Sequence, residues 1–211
     1  DGNSCAALES VLNEAGIYAG YEGKSEIGRE HIVRAVLRII FEAEESVNEM
    51  TAFEKEEVAF HEAGHAVVAL AFDGEGVGLI SVRPSKSDAR GVVQLLQREN
   101  YFGSYDRMCE RVTALLAGRA AVEPKFGHVD VGASSDLQRA ARILQRFETD
   151  YGVSGFGLLH AGEHWAVESE RQGENIVAER GAMLSRFYEE AKRVLRGNWA
   201  FVERLAAELV A

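Results

Sequence analysis

The chain carries only two prolines, Pro84 and Pro124, and the long stretches around them are rich in Ala, Leu, Glu and Arg. Proline is the residue a helix interior tolerates least, so this scarcity predicts a fold dominated by helices. Apolar residues at helical spacing mark a first helix from about Ser4 to Tyr21, through Leu8, Val11, Leu12, Ala15 and Tyr18, and a second from near Arg29, through Ile32, Val33, Val36, Ile39 and Ile40. The acidic run Glu42 to Glu49 then reads as a linker. Thr51-Ala52-Phe53-Glu54 has the letters of a capping box, in which hydroxyl and carboxylate satisfy each other's orphan amides, so a third helix is expected from about Ala52 to Phe72. Leu79 to Val82 and Gly91 to Leu96, separated by a polar Pro-Ser-Lys-Ser-Asp loop, read as a hairpin, with Gly74, Gly76 and Gly78 as a flexible exit from the third helix. A fourth helix follows Ser104. A fifth opens near Ser134 or Ser135, and two more fill the last third from about Gly173, broken at Gly197-Asn198. The expected fold class is mainly α (α+β): seven helices and one small sheet beside the third helix.

Charge and cysteine usage narrow the function classes. A formal net charge of -11 argues against wrapping nucleic acid, which selects basic stripes. The longest apolar stretches, such as Ala66 to Phe72, fall far short of the ~20 residues a membrane-spanning helix requires, so any membrane contact would come through segments absent from this sequence. The start, Asp1-Gly2-Asn3-Ser4, has neither an initiator Met nor a signal-peptide pattern, which suggests a piece of a longer protein. Cys5 and Cys109 form neither a CxxC pair nor a disulfide framework, and fit a reducing compartment.

The third helix contains His61-Glu62-Ala63-Gly64-His65, an instance of H-E-x-x-H. Residues four apart lie one helical turn above each other, so both imidazoles can reach one metal ion while Glu62 reaches a water beside it. Val58, His61, His65, Val68 and Phe72 follow steps of three and four, which puts the histidines on an inward-facing stripe. Two core histidines bonded to backbone would carry the same letters by accident. The motif supplies two ligands only, and spacing leaves the third open among Glu123, His128, Asp130 and Asp136; Asp136 in a first helical turn is also an ordinary helix-start acid.

Beyond spacing, Val58-Ala59-Phe60-His61-Glu62-Ala63-Gly64-His65-Ala66 resembles the zinc helix of the FtsH family of ATP-dependent metalloproteases. Leu115-Leu116-Ala117-Gly118-Arg119-Ala120-Ala121 and Val131-Gly132-Ala133-Ser134-Ser135-Asp136-Leu137 resemble its next two hallmarks. Tyr151-Gly152-Val153-Ser154 and Tyr188-Glu189-Glu190-Ala191-Lys192 are similar to further family positions, and Leu8 to Ala15 with Glu22 to Ile27 is similar to the small helical lid of its AAA+ ATPase module. The resemblance implies a lid remnant over residues 1–47 and a zinc metallopeptidase domain over 48–211. It implies His61, His65 and Asp136 as ligands of one Zn2+ per chain, with Glu62 as the general base. Two departures mark a divergent branch: Ser4-Cys5-Ala6-Ala7-Leu8 stands where the family has S-G-A-D-L, and Val122-Glu123 where it has two adjacent acids, leaving Glu123 as the candidate carboxylate behind a ligating histidine.

The function so implied is endoproteolysis of unfolded polypeptides, with a substrate strand added along Ile80, Val82, Gly91, Val92 and Val93. The resemblance also implies a homo-oligomeric, hexameric ring, in the cytoplasm or at the cytosolic face of a membrane through missing N-terminal segments. ATP would act only through an upstream ATPase domain absent from this chain. Gly23-Lys24-Ser25 is no phosphate loop, because Tyr18 stands where its first glycine belongs and a helix where its strand belongs. His160, His164 and Trp165 read as a surface loop. A proteolytically silent assembly module and a small-molecule zinc hydrolase are the alternatives from other classes.

Overall fold

A computed structural model of the chain describes residues 4–43, 50–72, 75–83, 91–97, 104–153 and 170–211. Seven α-helices and two strands are seen among them: α1 (Cys5–Tyr21), α2 (Arg29–Ile40), α3 (Ala52–Ala71), β1 (Glu75–Ser81), β2 (Val92–Gln97), α4 (Tyr105–Phe126), α5 (Ser134–Thr149), α6 (Glu170–Gly197) and α7 (Trp199–Val210). The mainly helical class with one small sheet is therefore as expected. The acidic run from 44 to 49, the loop from 84 to 90, and His160, His164 and Trp165 lie outside the described residues.

Helix starts follow the local chemistry. Ser4 and Ser104 cap α1 and α4 by accepting from the amides of Ala7 and Arg107. At α3 the reciprocal box forms: the Glu54 amide donates to Thr51 Oγ1 at 3.2 Å, and the Thr51 amide donates to Glu54 Oε2 at 2.8 Å. Gly23, at φ 69°, makes the turn that leaves α1, so Gly23-Lys24-Ser25 is a link between two helices. Pro124 sits inside the last turn of α4, where its missing amide removes an i→i−4 bond; α4 ends two residues later at Phe126, with Gly127 in the left-handed conformation behind it.

Of the three glycines expected to form a flexible exit from α3, Gly74 lies outside the described residues and the other two behave differently from expectation. Gly76 and Gly78 belong to β1, which is longer than the Leu79–Val82 segment the sequence marked and pairs antiparallel with β2. A register shift falls between Val77 and Leu79, where Gly78 lacks a side chain to hold regular pairing.

Helix α3 is buried along most of its length and packs on α4, α6, α7 and the sheet. Its Ala59, Phe60, Ala63 and Val67 meet Ala114, Ala117, Ala120 and Ala121 of α4, closed by Val194 and Leu195 of α6 and Val202 and Ala206 of α7. A second cluster joins Val112, Leu115 and Leu116 of α4 to Ala140, Leu144 and Phe147 of α5. Helices α1 and α2 make a small cluster of their own around Val11, Ala15 and Ala35.

Candidate metal centre

Small residues let α3 and α4 approach closely enough to build the site. A Cβ on Gly64 would stand 2.5 Å from the Ala117 carbonyl oxygen, and one on Gly118 would stand 2.5 Å from the His61 ring. Both glycines are therefore required by contact: the first by the backbone of the partner helix, the second by the imidazole lying over it.

The two histidines are oriented from behind. His65 Nδ1 lies 2.7 Å from the Ala114 carbonyl oxygen, which can only accept, so this nitrogen carries the proton. His61 Nδ1 lies 2.6 Å from Asp130 Oδ2 and donates to that carboxylate. In the neutral rings both Nε2 atoms then present lone pairs, and they face each other at 3.0 Å. Asp136 Oδ2, from the first turn of α5, stands 3.3 Å from each of them. Three acceptors that converge with no donor between them repel one another unless a cation lies among them.

The spacing fits such a cation. Zinc binds His nitrogen and carboxylate oxygen at about 2.0–2.1 Å, which puts tetrahedral ligands roughly 3.3 Å apart. His61, His65 and Asp136 form the group able to hold a metal among the described residues. The charges agree: the carboxylates of Glu62, Asp130 and Asp136 surround two imidazoles in a largely buried place. Without a metal, burial of His61 disfavours its charged form, but the hydrogen bonds to Asp130 and Asp136 and the charges of Glu62 and Asp130 outweigh this and push its pKa up to about 10. Asp136 is raised by burial, yet contacts with His61 and His65 hold its carboxyl well below the usual range. A proton is here the weak substitute for a multivalent cation.

Glu62 is 6% exposed, one residue along α3 from His61, and its pKa is raised by burial against the opposing charges of His65 and His61. Its room is made by Gly91, the residue just before β2, where a Cβ would stand 2.5 Å from Glu62 Oε1. The N-terminal end of β2 therefore lies against the carboxylate.

The candidates that spacing left open part company here. Asp136 Oδ2 completes a triangle with the two Nε2 atoms. His128 pairs with Glu57 at 2.6 Å, on the surface. Glu123 is not the carboxylate behind a site histidine, and this corrects the expectation: it accepts from Arg119 at 3.1 Å and from the Tyr188 hydroxyl at 2.5 Å, tying α4 to α6. The reason is helical phase, since five residues at about 100° each turn Glu123 roughly 140° away from Gly118, which faces His61. Asp130 holds that place instead. The letters carried one sign of it: Asp130 stands two residues before Gly132, the spacing of an Asx turn, and its Oδ1 accepts the Gly132 amide at 2.7 Å. Nothing in the letters announced the Ala114 carbonyl behind His65.

A helix carrying H-E-x-x-H, completed by an acid from the start of a second helix, defines the metallopeptidase class. The model of peptidase family M41 matches residues 48–211, and the chain belongs to that family. It is similar to the ATP-dependent zinc metalloprotease FtsH of Bacillus subtilis, 31% identical over 99% of this chain and 35% of the relative. The proteins of that name from Caldicellulosiruptor bescii and Thermotoga maritima are 31% and 32% identical, over 97% and 90% of this chain and 36% and 34% of their own length. The chain thus spans about a third of the length of the curated relatives it matches.

Proposed function

We propose that this chain is the zinc endopeptidase module of an FtsH-like ATP-dependent protease, acting on unfolded polypeptide. The observation that carries the reading is the convergence of His61 Nε2, His65 Nε2 and Asp136 Oδ2 at 3.0–3.3 Å with both Nδ1 atoms already engaged. These three residues would hold the metal. Bound there, zinc supplies Lewis acidity, lowering the pKa of a water towards ~7 and polarising a carbonyl.

The chain's own residues do the rest. Glu62 accepts a proton from the attacking water at its carboxylate and returns it to the leaving amide nitrogen. Burial suits it to both tasks, because a raised pKa makes the carboxylate a better base than an exposed glutamate. Gly91 keeps that carboxylate uncrowded. A substrate strand laid along the sheet at Ile80, Val82, Gly91, Val92 and Val93 brings its backbone past Glu62, since β2 begins there and Ser81 pairs with Val92. Recognition through main-chain hydrogen bonds suits a protease that accepts many sequences.

We further assign residues 1–47 to a lid remnant and 48–211 to the peptidase domain. ATP dependence, a word in the relatives' names, would come through an upstream ATPase domain. Closed-ring self-association, hexameric by family resemblance, would enclose the sites in a chamber. Among the described residues no helix is long and apolar enough to cross a membrane, so a membrane tether would belong to other segments.

Casein degradation, measured with and without a zinc chelator, tests the reading, because casein is loosely folded and requires no ATP-driven unfolding. Wild type is expected to cleave and to stop with chelator. Glu62→Gln should lose at least ~100-fold in rate, at the low end of general-base contributions, while keeping its zinc. Cleavage by Glu62→Gln at near wild-type rate would overturn the assignment of the base.

A further inference from the structure

We infer that Asp130 is the positioning residue of the metal centre, and that its single carboxylate sets two of the three metal donors at once. This rests on the metal reading above and adds a residue that neither H-E-x-x-H nor the third-ligand motif contains. One oxygen, Oδ2, accepts from His61 Nδ1 at 2.6 Å, and this bond fixes the tautomer and the ring rotation that aim Nε2 at the site. The other, Oδ1, accepts from the Gly132 amide at 2.7 Å and caps the 3-10 turn Val131–Ala133. That turn runs directly into Ser134, the first residue of α5, whose first turn presents Asp136. The carboxylate therefore links the α3 histidine to the segment that delivers the α5 acid. Its side chain is 11% exposed, so little water competes for these bonds.

The chemistry of the residue is specific. An asparagine has one acceptor oxygen and one donor nitrogen, so it can serve His61 Nδ1–H or the Gly132 amide but not both. A serine retains the short turn-capping acceptor and lacks the reach to His61. The two substitutions separate the roles. If Asp130 only stabilised the turn, Asp130→Ser would be nearly silent, and any loss in Asp130→Asn would appear as a lower melting temperature of the metal-free protein with unchanged affinity of the folded form.

The test is the zinc dissociation constant of the folded chain, read by competition with a chromophoric chelator, for wild type, Asp130→Asn and Asp130→Ser, with circular dichroism and metal-free melting curves on each. Binding weaker by ~10–100-fold is expected in both variants, with helix content unchanged, the range seen when the partner of a ligating histidine is removed. Asp130→Ser binding as tightly as wild type would overturn the positioning role and leave the metal reading standing. A wild type that takes up no zinc would overturn both.

Discussion

The α3–α4 seam and the α1–α2 pair are both helix–helix contacts lined by alanine and valine, yet they hold together differently. In the seam, Gly64 and Gly118 let the Ala117 carbonyl and the His61 ring approach to distances that leave no room for a methyl group, and residues from α6 and α7 close over the contact. In the pair, the apolar cluster is Val11, Ala15 and Ala35, with Ala19, His31 and Leu37 also buried, while Leu8, Leu12, Ile17, Tyr21 and Ile32 stay exposed. Much of what ties α1 to α2 is polar and peripheral: Glu14 to Arg38 at 2.9 Å, and the Arg34 guanidinium 4.0 Å over the Tyr18 ring. The first contact positions chemistry and tolerates no change in spacing. The second has apolar surface to spare for a partner and only a small core, so the two should respond differently to perturbation.

The largest effect is expected at the seam. Gly64→Val forces a branched side chain against the Ala117 backbone carbonyl and should cost about 3 kcal/mol, the upper end for overpacking, with loss of zinc as the helices separate. Melting and metal content of the variant measure it; a well-folded, zinc-replete Gly64→Val protein would show that the close approach is unnecessary. In the pair, Val11→Ala removes two buried methyl groups, about 1.6 kcal/mol, and the damage should stay local. Hydrogen exchange should accelerate across α1 and α2 and hold steady in α3 and α4, whereas equal acceleration in both would mean one cooperative unit instead of two.

A smaller and pH-dependent effect is expected at the brace that Glu123 makes between α4 and α6. Burial raises its pKa, but hydrogen bonds from Tyr188 and Arg119 outweigh this and lower it. A carboxylate depressed in the folded state stabilises above its unfolded pKa, and that contribution disappears as pH falls through the folded value. The melting temperature of wild type should therefore exceed that of Glu123→Gln near neutrality, and the gap should close on acidification below about pH 4. A gap independent of pH would assign the brace to packing alone. Zinc binding should be untouched in this variant, in contrast to the seam.

How far the sequence revealed this depends on the range of the interaction. Caps and periodicity are local, and Ser4, Thr51 with Glu54, and Ser104 start helices where their chemistry says they should. The H-E-x-x-H spacing is equally local, because one helix supplies both rings. Asp136 came from resemblance, since no short-range rule distinguishes a ligand at a helix start from an ordinary helix-start acid. The exchange of Glu123 for Asp130 was hidden because it depends on the rotation of α4 relative to α3, which no single segment encodes. Gly76 and Gly78 misled for the opposite reason. Glycine advertises flexibility locally, while pairing with β2 makes these two part of a strand.

The central claim is that a metal is held by one acid from α5 together with two histidines of α3. Zinc content per folded chain, measured by elemental analysis after dialysis for wild type, Asp136→Ala and Glu123→Ala, tests it most directly. Loss of a true third ligand removes most of the metal, whereas loss of a helix-start acid costs only about 0.5–2 kcal/mol of stability. The expected result is about one zinc in wild type and in Glu123→Ala, and little in Asp136→Ala, with all three folded. Full zinc in Asp136→Ala would contradict the account.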